Sequence, residues 1–213
     1  MRKIGDIYKQ YHTMPNLQWH QIRVAAVAMQ ICDGFDLPVD RERVALACLL
    51  HDMGNIVKFK FGKIPELLEG VDVQYWEAIQ KEYIDKYGND DYEANMAIIS
   101  EIGIDKKVYD IADAIGFHNW CSVDTDGSWE YKIASYADSR VSPFGVLSLN
   151  ERLSESSIRY AGVDHPTNNI INTLYDCVRD FENQIFEHLQ FSPSDITNES
   201  IQKYIEPLKN FEF

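Results

Sequence analysis

His51 and Asp52 lie side by side at the end of the apolar run Ala47-Cys-Leu-Leu-His-Asp-Met-Gly54. Alone the pair carries little weight, since six histidines in an Asp-rich chain produce one by chance easily. The context gives it meaning. A strongly apolar helix buries both side chains, and a buried imidazole or carboxylate is costly unless something compensates it. Neighbouring helical residues point about 100° apart, yet at a helix terminus both can converge on one ion. A divalent metal is the natural compensator. Candidate co-ligands stand on other segments, each where an apolar face should continue: His20 in Trp19-His-Gln-Ile-Arg-Val-Ala-Ala26, Asp138 in Ile133-Ala-Ser-Tyr-Ala-Asp-Ser-Arg140, and His118 closing Ile111-Ala-Asp-Ala-Ile-Gly-Phe-His118. Each alone has an ordinary explanation, a hydrogen-bonded core His or an Asp that caps or pairs with Arg. Together, imidazole and carboxylate make a mixed site suited to Mn, Fe, Co, Ni or Zn rather than Ca.

The elements that must position these groups read as helices almost throughout, with helical periodicity and hardly any strand alternation. The first clear helix runs from Asn16 to about Cys32 and ends at Asp33-Gly34; Trp19, Ile22, Val24, Val27, Met29 and Ile31 give it a broad apolar face. A second is capped by Asp40 and stops by Gly54. Residues 55–63 break the pattern and read as a loop. Further helices are expected at about 72–87, 92–102, 106–119, 129–141, 150–161, 168–190 and 195–209. The expectation is an all-α protein: residues 1–142 form a metal-binding helical core, and residues 143–213 add C-terminal helices packed on the same domain.

The 213 residues are 45 % apolar, 12 % aromatic and 25 % charged, enough for one substantial core. Thirty-four acidic against 20 basic residues leave a net charge of −14, which repels duplex nucleic acid. A small phosphorylated substrate stays compatible, because a metal or a few local cations reverse the potential inside one cleft. The longest apolar run, Val44 to Leu50, is far short of a membrane span, and the amino terminus lacks a signal-peptide core. Cys32, Cys48, Cys121 and Cys177 are widely spaced and read as reduced core thiols. A cytoplasmic protein is expected, with a homo-oligomer left open.

In order and spacing, His20 in His-Gln-Ile-Arg-Val-Ala, His51-Asp52 in Leu-Leu-His-Asp-Met-Gly and Asp138 in Tyr-Ala-Asp-Ser-Arg resemble the HD-domain metal-dependent phosphohydrolases across about residues 16–142. The resemblance implies a compact multi-helix bundle with the metal at its centre, and hydrolysis of phosphomonoesters or phosphodiesters, often of nucleotides. Two departures stand out. Many members carry Lys or Glu three positions after the Asp of the pair, where this chain has Asn55. Two-metal members add histidines between the pair and the last Asp; His118 looks like one, while its companion is replaced by Asp90-Asp91. One metal, held by His20, His51, Asp52 and Asp138, is therefore the expected state, with a second left open.

Such an ion keeps open positions, lowers the pKa of bound water toward about 7 and polarises a phosphoryl oxygen. Asp52 can accept a proton or orient water, and His118 can donate to a phosphate oxygen or leaving group. Arg23, Asn55, Lys58 and Arg140, with Lys60 and Lys63, are candidates to hold the substrate. Trp19 and Trp120 flank the ligands, and for both core packing outweighs base stacking. Two other classes stay open: a non-catalytic metal-binding sensor or interaction domain, which Asn55 favours, and a di-iron oxygenase, which needs further ligands beyond His118.

Overall fold

The computed structural model describes residues 1–62, 68, 70–116, 119–121, 128–159 and 168–213. Ten α-helices lie among them: α1 (Ile4–Gln10), α2 (Pro15–Gly34), α3 (Arg41–Leu50), α4 (Val73–Tyr87), α5 (Asp91–Ile102), α6 (Lys106–Ile115), α7 (Trp129–Ser139), α8 (Leu149–Arg159), α9 (Asn168–Phe186) and α10 (Gln202–Lys209). A two-stranded antiparallel hairpin, β1 (Val141–Ser142) and β2 (Gly145–Val146), is the one sheet among the described residues. No described helix is long and apolar enough to cross a membrane.

The bundle is built around α2. Val24, Ala25, Ala26, Val27 and Ala28 are all fully buried, so this helix is apolar around most of its circumference and the small alanines let neighbours approach closely. It packs against α3, α7 and α10; α6 closes over α3 and α7, and α9 lies on α7. Aspartates start four helices by accepting backbone N–H bonds: Asp40 for α3, Asp72 for α4, Asp90 for α5 and Asp105 for α6. Asp90 is thereby committed to capping.

Three departures from the sequence expectations have local causes. Helix α1 is short, and it is held from outside: Ile4, Ile7 and Tyr8 are buried, and Arg2 and Phe213 exchange backbone hydrogen bonds of 2.8 and 3.0 Å. The last helix begins at Gln202 rather than near 195. Before it, Ser192 and Asp195 form a capping box, Thr197 and Ser200 bond each other's backbone, and Asn198 accepts from Val146 N–H, all competing with a helical ladder. Gly54 stops nothing by a left-handed conformation; its backbone is right-handed, and a Cβ there would lie 2.3 Å from Asn95 N. Only glycine allows α5 to pack that tightly against the turn after α3.

The cysteines need a larger correction. Cys32 and Cys48 are free and buried, but Cys121 and Cys177 form a disulfide with Cα atoms 5.4 Å apart across 56 residues of sequence. Trp120 packs edge-on against Tyr175 at 5.8 Å, which brings the two thiols together, a proximity no one-dimensional spacing reveals. Closing a loop of that length removes entropy from the unfolded chain. Cys177→Ser should accordingly lower the unfolding free energy of the oxidised protein by about 2–4 kcal/mol in urea denaturation. The wild type unfolded without reductant should expose two thiols, and four after reduction. An unshifted midpoint, or four thiols from the start, counts against the bridge.

Candidate metal centre

Helix α2 presents His20 from its first half, α3 delivers His51 and Asp52 at its carboxyl end, and α7 brings Asp138 one residue before its own end. Two helix carboxyl termini thus converge, each carrying roughly half a negative charge from aligned peptide dipoles. With two carboxylates added, the place demands a cation.

The distances fit one ion. His20 Nε2 lies 3.0 Å from Asp138 Oδ1 and 3.6 Å from Asp52 Oδ2. His51 Nε2 lies 3.3 Å from Asp138 Oδ1 and 3.8 Å from Asp52 Oδ2. Two ligands about 2.1 Å from a common metal and roughly 90–130° apart are separated by about 3.0–3.8 Å. His20, His51 and Asp52 also place one donor atom each within 4.8 Å of one another, a candidate metal group among the described residues.

His51 shows the local logic most clearly. Its Nδ1–H donates to the Cys48 carbonyl at 2.8 Å, which leaves Nε2 turned inward. That nitrogen is buried and has no aligned hydrogen-bond partner among the described residues. Its contact with Asp138 is an ion-pair distance, not a formed hydrogen bond. Burial by itself lowers the imidazolium pKa, but the charges of Asp52 and Asp138 and the Cys48 carbonyl outweigh it and raise His51 to about 9. Burial pushes the Asp138 carboxyl the other way, upward, yet the His20 hydrogen bond and the charges of His20 and His51 hold it well below the usual carboxylate range. In the protein alone a proton on His51 plays the part that a divalent ion can take over.

Around this cluster, Asn55 Nδ2 donates to Asp52 Oδ2 at 2.6 Å, so it steadies the carboxylate. Arg23, one helical turn after His20, is half-buried with its guanidinium over Trp19 and one bond, 3.2 Å long, to the Pro143 carbonyl; no carboxylate pairs with it among the described residues. Burial draws its pKa down. Trp19 is 42 % exposed, and Lys209 from α10 reaches its ring at 4.6 Å.

Other expected contributors make different contacts. Arg140 has its guanidinium buried against the Leu147, Pro193 and Ile196 carbonyls and the Tyr136 hydroxyl, fastening the hairpin and the C-terminal segment to α7. It is a structural clamp, and the expectation that it binds substrate is corrected. Lys58 pairs with Asp91 at 2.5 Å on the exposed surface, and Lys60 is exposed. Trp120 is core, its indole N–H donating to the Ile115 carbonyl. His118 and Lys63 lie outside the described residues.

Sequence reasoning missed Gln21. It is fully buried, and its Oε1 accepts from Asp52 N–H at 3.3 Å. The signal was present: Leu17, Gln21, Val24 and Ala28 form one buried stripe of α2, and the amide stands where that stripe calls for an apolar side chain.

Comparison with curated proteins and with solved structures gives no match. The family model described as HD domain matches residues 19–118, a span that holds His20, His51 and Asp52 and ends before Asp138. That family is generally one of metal-dependent phosphohydrolases. Residues 19–118 are thus similar to an HD domain, consistent with the HD-domain phosphohydrolase superfamily.

Proposed function

We propose that this protein hydrolyses a phosphomonoester or phosphodiester of a small, nucleotide-like substrate, using one divalent transition metal held by His20, His51, Asp52 and Asp138. The observation that carries the reading is the buried His51 Nε2: its tautomer is set by the Cys48 carbonyl, it lacks a hydrogen-bond partner among the described residues, and it faces two carboxylates. When bound, the metal supplies a nucleophilic water near neutral pH and a Lewis acid for the phosphoryl oxygen. The protein's own groups do the rest. Two carboxylates balance the ion, so an anionic substrate needs a further cation, and Arg23 is a half-buried one with no acidic partner among the described residues. Asn55 holds one Asp52 oxygen, which leaves the carboxylate to steer the proton of the attacking water.

Elemental analysis of the purified protein, joined to a panel of nucleotides and phosphodiesters, tests this reading. One bound metal with turnover supports it. Metal without turnover supports a second reading, a metal-binding sensor, which Asn55 favours because an amide cannot carry a proton in place of Lys or Glu. Arg23→Met should keep its metal and raise KM about 10- to 100-fold, the size of one charged hydrogen bond. An unchanged KM removes Arg23 from the substrate site.

A further inference from the structure

We propose that Gln21 is a positioning residue of the metal centre, acting through the Asp52 backbone; this rests on the reading that the cluster binds a metal. At the end of α3 an ordinary helix would send Asp52 N–H to the carbonyl four residues back, Cys48. Here the Cys48 carbonyl receives His51 Nδ1–H, and Asp52 N–H goes to Gln21 Oε1. Two partners are exchanged at one turn, and the exchange has two effects. The His51 ring is fixed with Nε2 inward, and the peptide before the Asp52 side chain is drawn toward α2, the helix that carries His20.

The cost of the arrangement is visible. Gln21 is 0 % exposed, yet its Nε2 has no hydrogen-bond partner among the described residues. A buried amide donor left unmade is unfavourable, and an apolar side chain of the same length would be the better choice for packing alone. The side chain is therefore serving its oxygen, and that oxygen serves Asp52. Because Gln21 follows His20 directly, one turn of α2 fixes both the first imidazole and the direction of the carboxylate opposite it. Without Gln21 Oε1, Asp52 N–H is free to turn back and compete with His51 Nδ1–H for the Cys48 carbonyl, so both ligands of the pair lose their aim.

The test uses the full chain, cobalt(II) as the probe and three readouts: affinity by titration, the visible absorption of the cobalt-loaded protein, and the thermal midpoint of the metal-free protein. Gln21→Met keeps length and burial and removes the acceptor. It exchanges one unpaired group, Gln21 Nε2, for another, Asp52 N–H, so its midpoint should stay within about 3 °C of wild type. Its affinity should fall about tenfold or more, the usual effect of losing a group that orients a ligand, with an altered cobalt spectrum. Gln21→Glu, which keeps an oxygen at the same reach, should return affinity to within about threefold of wild type. Wild-type affinity in Gln21→Met overturns the proposal, as does an equal loss in both variants. If wild type itself takes up no cobalt, the metal reading fails first and the proposal with it. Should Gln21→Met not fold, Gln21→Asn, whose amide falls short of Asp52 N–H, carries the same expectation and the same refutation.

Discussion

Purified His51→Ala and Asp138→Ala are expected to carry almost no metal, while His12→Ala carries as much as wild type. The two ligand sites differ in kind, and both should fail. Removing His51 deletes the inward-facing Nε2 and leaves Asp52 and Asp138 next to two helix carboxyl ends with one fewer nitrogen to offset them. Removing Asp138 takes away the oxygen that stands 3.0 and 3.3 Å from the two ring nitrogens. Deleting one partner of a buried charged pair costs about 3–5 kcal/mol, equivalent to a weakening of roughly 10²- to 10⁴-fold. His12 is a fair control because its ring is exposed, bonds the Tyr75 hydroxyl and is not a member of the cluster. Asp138→Asn, which keeps shape and loses charge, should fall between. Stoichiometric metal in both alanine variants would remove the cluster from consideration as the metal site.

How much of this was legible beforehand depended on whether a signal was local. The helices of the core follow from periodicity and capping residues, and α4 and α5 begin within a residue or so of their expected starts because Asp72 and Asp90 mark them. The residues of the cluster stood out because each interrupts an apolar face, and polar interruptions need a reason. Three things were not local. The disulfide depends on how α9 lies against Trp120. Helix α1 depends on the chain's own carboxyl end. Arg140 is indistinguishable in sequence from a phosphate-binding arginine beside Asp138; only packing shows that four acceptors already surround it. Gln21 lies between these cases, since its polarity on a buried stripe was visible and its partner was not.

The stability and the metal affinity of this protein should respond to pH in opposite directions, through one proton on His51. Without metal, His51 titrates at about 9 in the folded protein against about 6.5 in the unfolded chain. A raised pKa means the folded state holds the proton more tightly. The resulting stabilisation is complete below about pH 6.5 and is lost as pH rises through 9, amounting to about 3 kcal/mol at most. Asp138 bounds the window from below: its depressed pKa contributes stability that is present above about pH 4 and lost on further acidification. The thermal midpoint in chelator should therefore fall by about 6–12 °C between pH 6.5 and 9. Metal needs the neutral imidazole, so binding must expel the same proton. Apparent affinity should rise about tenfold per pH unit from pH 7 and flatten near 9, with one proton released per metal in calorimetry run in buffers of different ionisation enthalpy. Metal-loaded protein, having no proton on His51 to lose, should keep its midpoint over that range. An affinity that stays level from pH 7 to 9 would mean that His51 is already neutral, and that the two carboxylates do not hold charge beside its ring.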